Sequence, residues 1–67
     1  MNAAPLTSPR LKRVQVYLRD GKLHSTMGII RNAKVCAVSA IVSELRTHGL
    51  TIHCQRIHSV WYYRMVV

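Results

Sequence analysis

The chain has 67 residues, 49% of them hydrophobic, and ten Lys or Arg against two acids, for a formal charge of +8 with neutral histidines. That length permits one domain, burying roughly 60% of its unfolded-state surface, and the hydrophobic share is too high for a disordered tail. No apolar run approaches the roughly 20 residues that span a bilayer, and Cys36 and Cys54 are too few and too far apart for a disulfide framework or a zinc ribbon.

Met1 to Pro9 has no basic segment followed by an apolar one, so no secretory signal is expected. The sequence therefore predicts a cytoplasmic protein with reduced cysteines acting as small apolar side chains. A field this positive favours polyanions and speeds their capture without specifying a fold. Nucleic acid is the commonest such partner for a small domain; an anionic membrane surface or an acidic protein is the alternative.

Residues 1–8 read as a flexible N-terminal arm and 9–67 as the domain. Ser8-Pro9 starts the first helix, with a capping hydroxyl followed by proline where no N–H is missed. Leu11, Val14 and Leu18, with Tyr17 beside them, form its apolar stripe, and Gly21 suits the left-handed position after its end. A second, shorter helix from His24 or Ser25 to about Arg31 turns Met27 and Ile30 inward and is weakened by about 1 kcal/mol at Gly28. Asn32-Ala33-Lys34 makes the turn, because asparagine tolerates left-handed backbone; one long helix through Lys34 is the alternative.

The third helix is predicted over about Val35 to His48. Val35, Val38, Val42 and Leu45 repeat at i, i+3, i+7 and i+10 as its core stripe, and Gly49 stops it. Past the glycine the period changes to two. Ile52 and Cys54 alternate with His53 and Gln55, then Val60, Tyr62 and Arg64 alternate with Trp61, Tyr63 and Met65. Arg56 to Ser59 has the length of a hairpin loop. The expected architecture is mainly α with a β-hairpin, in the order α-α-α-β-β, with Tyr63 and either Met65 or Trp61 completing the core.

That order, with Ser39-x-x-Val42-Ser43-Glu44-Leu45-Arg46-x-x-Gly49-x-x-Ile52 and a later Tyr63-Arg64-Met65, resembles the small winged helix-turn-helix domains common in bacteriophage and prophage proteins. The resemblance covers about Leu11 to Met65. It implies double-stranded DNA as partner, bound through the third helix and the wing, in transcription regulation or excisionase-like recombination in a bacterial host cell. Two positions depart from the family pattern. Ile41 stands where a polar or basic residue is common, and the outward face, Ala37, Ala40, Ser43, Glu44 and Thr47, lacks the Arg, Asn or Gln that make the best bidentate base contacts.

The charges suit this reading. Lys34 is placed at the start of the third helix, where helix N–H groups and an ammonium both meet phosphate, and Arg31 precedes it. Ser39 and Ser43 are candidates for phosphate or base contact, or for bonds back to helix carbonyls. Arg46 is a candidate for phosphate or for structural pairing near the helix C-terminus. Arg56 and His58 tip the wing. Arg10, Lys12 and Arg13 crowd the start of the first helix against its dipole, an arrangement that phosphate would relieve.

Other chemistries have little to work with. His48, His53, Cys54 and His58 suggest a metal, but adjacent strand residues His53 and Cys54 point to opposite faces, and no metal or other cofactor is expected. Cys54 lacks an orienting carboxylate for nucleophilic catalysis. Asp20 and Glu44, the only acids, fall on different helices, so acid–base catalysis and an enzymatic role are not expected. The reading from another class is a winged-helix module that binds a host protein, with Ile41 and Trp61 as its interface; a homodimer would double the half-sites of a DNA binder.

Overall fold

A computed structural model describes residues 8–66, in the element order α1 (Pro9–Leu18), β1 (His24–Ser25), α2 (Thr26–Ala33), α3 (Val38–Thr47), β2 (Ile52–Ile57) and β3 (Val60–Met65). The expected arm at 1–8 lies outside the described residues except for Ser8, which is the N-cap of α1. Three helices accompany a three-stranded antiparallel sheet of order β1-β3-β2, with α1 and α2 packed on β3 and α3 packed on α1 and α2. The sheet has one more strand than the sequence predicts. With only two residues, β1 carries no periodicity and exists because β3 pairs with it, His24 against Tyr63 and Ser25 against Tyr62.

The first helix follows its sequence signals except at its cap, where Ser8 takes the N-cap position but its hydroxyl makes no capping hydrogen bond. Pro9 occupies the first turn, Leu11, Val14 and Leu18 are fully buried, and Gly21 takes a φ of 73°. The second runs slightly later than expected, starting after Ser25, whose hydroxyl accepts from the Gly28 N–H at 3.0 Å. Its phase also differs. Ile29 and Ala33 are buried, Ile30 only partly, and Met27 points outward at 54% exposure. The shift arises because α2 packs against both α1 and β3, which turns Ile29 rather than Met27 into the core.

The α2–α3 connection is longer than the predicted turn. Lys34, not Asn32, takes the left-handed conformation (φ 54°), and Ala37 takes another (φ 34°) immediately before α3. Val35 is still a core residue, but from this connection rather than from the helix. The third helix therefore starts at Val38, three residues later than expected. It closes on a Schellman motif: Gly49 N–H donates to Arg46 O at 2.9 Å and Leu50 N–H to Leu45 O at 3.2 Å, with Leu50 packed against the core.

The hairpin is tighter than the four-residue loop anticipated. Arg56 and Ile57 belong to β2, paired with Trp61 and Val60, and the connection is His58-Ser59 alone. Both turn residues have positive φ, 49° and 66°, as the type I′ turn of a two-residue hairpin requires. The face of the hairpin toward the helices runs Ile52/Met65, Cys54/Tyr63, Arg56/Trp61. Its first pair is buried, its second spans the edge of the core, and its third lies outside. Cys54 thus has the inward phase expected of it but is exposed, because the hairpin outruns the helices that would cover it.

The core contains Leu11, Val14, Leu18, Ile29, Val38, Val42, Leu45, Ile52, Tyr63 and Met65, together with Ile41 at 3% exposure. Ile41 corrects the sequence expectation of an interface residue. The inward arc of α3 is wide enough to take in Ile41 between Val38 and Leu45, because α3 packs against both α1 and α2. No helix among the described residues is long and apolar enough to cross a membrane.

Candidate nucleic-acid interface

Both acids of the chain are engaged internally. Asp20 accepts the Lys22 N–H at 2.9 Å and contacts His24 Nε2 at 2.9 Å, closing the loop between α1 and β1. The Lys22 amide and then the His24 ring hold the Asp20 carboxyl below its ordinary value. Glu44, on α3, takes Arg10 of α1 at 3.3 Å. Neither carboxylate therefore remains to compensate the other cations, and Glu44 is turned toward α1 rather than along the outer row of α3.

That outer row is Ser39, Ala40, Ser43 and Thr47, all exposed. It is built by helical spacing opposite to Val38, Ile41, Val42 and Leu45. Thr47 Oγ1 donates back to Ser43 O at 3.0 Å, while the hydroxyls of Ser39 and Ser43 have no partner among the described residues. No side chain caps the start of α3, and its first turn contains no acid. The row is therefore small and neutral, bordered by the uncapped N–H groups of Val38 and its neighbours.

Cations predicted to bind phosphate fall into two groups. Arg10, Arg13 and Arg46 have intramolecular partners. Arg13 Nε donates to Ala33 O at 2.8 Å and its Nη2 to Lys34 O at 3.3 Å, satisfying carbonyls left open at the end of α2. Arg46 directs Nε (3.1 Å) and Nη2 to Ile52 O, tying the end of α3 to the start of β2. Arg10 and Arg13 thus join elements distant in sequence, and Arg46 joins two consecutive ones.

Lys12, Arg31, Lys34 and Arg56 form the second group, all exposed. Lys34 is not at the start of α3 as expected. It caps α2 in the left-handed conformation, four residues before Val38, because its own backbone ends the preceding helix. Arg31 lies in the last turn of α2, where a cation also suits the helix dipole. Arg13, by bonding Lys34 O, brings the N-terminal half of α1 against this end of α2, and Arg10 borders a cleft with Cys36, Ala37, Ala40 and Ile41. The cations at the N-terminal half of α1 and the C-terminal end of α2 thus gather around the connection that leads into α3.

Arg56 and His58 are on the hairpin, His58 at its tip. Arg56 Cζ stands 5.9 Å from the centroid of the Trp61 ring, its cross-strand partner. Trp61 is 47% exposed and remains a surface residue as the sequence suggests. Between it and the helices lies an open cleft of about 550 Å³ lined by Thr26, Ile30, Ala37, Val38, Ser39, Cys54, Trp61 and Tyr63. Burial, and secondarily the neighbouring Cys54, push the Tyr63 phenol above its ordinary value, so its hydroxyl stays protonated on the cleft floor. Thr26 Oγ1 donates to Trp61 O at 3.2 Å and fixes the strand at the indole.

Sequence reasoning missed this cleft because Thr26 and Tyr63 come together only through β1, the strand without a pattern. Among the described residues, no three His, Cys, Asp or Glu side chains come together as a metal ion would require. No known family model, curated protein or solved structure matches the chain.

Proposed function

We propose that the protein is a small DNA-binding regulator or excisionase-like factor of winged-helix type, with α3 as the recognition helix and the β2–β3 hairpin as the wing. Its likeness to phage and prophage domains makes the bacterial cytoplasm the setting for this proposal. The observation that carries it is electrostatic. Both carboxylates are held in internal contacts with Arg10, His24 and the Lys22 amide, while Lys12, Arg31, Lys34 and Arg56 are exposed. In the proposed complex Arg31 and Lys34 meet the backbone on one side of α3, and Arg56 with His58 follows it on the wing side. The uncapped start of α3 adds amide donors for phosphate.

The outer row of α3 has hydroxyls and methyl groups in place of long amides or guanidinium groups, so the contacts are mostly to the backbone and sequence preference is modest. Salt dependence tests this. Neutralising about four phosphates gives a slope of log affinity against log salt near −3.6. A slope close to zero with duplex DNA overturns the proposal.

A second reading, a module that binds a protein, draws on Met27 (54% exposed) and Trp61 (47% exposed), apolar side chains left uncovered on α2 and the hairpin. Ile41 no longer supports it. Under this reading Trp61→Glu abolishes capture of a defined protein partner, and Lys34→Glu leaves it intact. A homodimer on DNA is the remaining proposal about partners, tested by the stoichiometry of the duplex complex.

A further inference from the structure

We propose that the cleft between the hairpin and the N-terminal ends of α2 and α3 receives an unpaired nucleobase of a DNA strand, stacked on Trp61, with the adjoining phosphate at Arg56. The inference rests on the nucleic-acid reading above and specifies which form of DNA is preferred. Duplex contact alone does not account for Trp61. An exposed indole on the helix-facing side of the hairpin contributes nothing to the core, yet its strand is anchored there by the Thr26 hydroxyl at 3.2 Å. That bond, to the Trp61 carbonyl, fixes the backbone from which the indole projects over the cleft, so the strand needs no ordering when a ligand stacks there.

The lining matches a base in its chemistry. Trp61 and Ile30 supply apolar surface, while Ser39 and Tyr63 bring hydroxyls that can donate to and accept from base edges; the Thr26 proton is already given to Trp61 O. No acidic side chain lines the cleft, and Arg56 stands 5.9 Å from the indole centroid, so a cation is available where a strand's phosphate would pass. Stacking on an aromatic beside a basic side chain is how sequence-tolerant binding of single strands is built. The positive charge of Arg56 at its edge opposes a cationic occupant and favours one that carries an anionic group beside a flat apolar face, as a nucleotide does.

Trp61 is the sole tryptophan, so its emission reports the event directly. The full chain is titrated with a short oligothymidine, with a duplex carrying one unpaired thymine, and with the same duplex fully paired. The expected result is strong quenching by the first two and little by the third. Trp61→Ala is expected to bind the bulged duplex about tenfold more weakly while binding the paired duplex nearly as before, and Trp61→Phe to retain most of the difference.

Equal quenching by all three DNAs overturns the inference, as does a Trp61→Ala variant whose melting temperature is unchanged and whose preference for the bulge persists. If the paired duplex binds with the expected salt slope but Trp61 emission does not discriminate, this inference fails while the general DNA reading stands. Absence of binding to any of the three overturns both.

Discussion

Arg13 and Arg31 look equivalent in the sequence, yet the structure gives them different work, and replacing each by glutamine separates stability from binding. Arg13 donates from a part-buried Nε to Ala33 O at 2.8 Å and from an exposed Nη2 to Lys34 O at 3.3 Å. A hydrogen bond from a charged donor contributes about 1.5–3 kcal/mol, and exposure reduces the second bond to a small fraction of that. Loss of both, with the α2 carbonyls returned partly to water, is expected to cost about 2 kcal/mol. For a domain of this size that lowers the melting temperature by about 10 °C. Arg31 has only its favourable position in the last turn of α2, so Arg31→Gln costs about 0.5 kcal/mol. Its salt slope on duplex DNA, however, falls by about 0.9, one phosphate fewer. Thermal melts by circular dichroism and affinity measured over a salt series read the two effects independently. If Arg13→Gln melts with the parent protein and loses the unit of slope instead, the guanidinium binds phosphate and the helix-end contacts do not hold the fold together.

Lys34→Gly is expected to raise stability by about 1 kcal/mol, because the left-handed backbone (φ 54°) costs a residue with a Cβ about 1–2 kcal/mol and glycine regains part of that. The same variant loses about 0.9 of salt slope, so denaturant melts and DNA titrations move in opposite senses. Ile41→Ala, at a site 3% exposed, is expected to lose about 3 kcal/mol in denaturant unfolding, whereas an interface residue would leave the isolated protein unaffected. Asp20 has a lowered folded-state pKa, through the Lys22 amide first and His24 second. Its contribution to stability is therefore complete above the unfolded carboxylate value and lost as pH falls through the folded one. Melts over a pH series should show an acid limb below about pH 4 that flattens in Asp20→Asn.

Elements whose signals are local were legible. Pro9 and the Leu11, Val14, Leu18 stripe define α1, and Gly49 marks the end of α3 because a left-handed residue is needed there. Elements whose existence depends on a distant partner were not. The two residues of β1 acquire strand geometry from Tyr62 and Tyr63 nearly forty positions along. The start of α3 was hidden for a different reason: Lys34 and Ala37 adopt backbone that their residue types disfavour, so no glycine, proline or asparagine announces the break. Ile41 shows the limit of periodicity. A strict stripe leaves it at the margin, but a helix covered on two sides buries a wider arc than one covered on one.

The charge pattern was half legible, and the missing half bears on what so small a domain needs. A 67-residue chain has little core, so links between elements must come from long side chains reaching backbone groups. Arginine suits that task because its fork carries several donors beyond the reach of its own helix. Arg13 joins α1 to α2, Arg46 joins α3 to β2, and Arg10 joins α1 to α3 through Glu44. Both lysines considered for phosphate contact, Lys12 and Lys34, make no such link with their ammonium groups among the described residues. A sequence shows that these side chains are positive, but whether a carbonyl waits within reach is a property of the fold alone. The net charge therefore overstates what is available to a polyanion. What is left for one are the exposed cations whose side chains hold no two elements together, among them Lys12 on α1, Arg31 and Lys34 at the end of α2, and Arg56 on the hairpin.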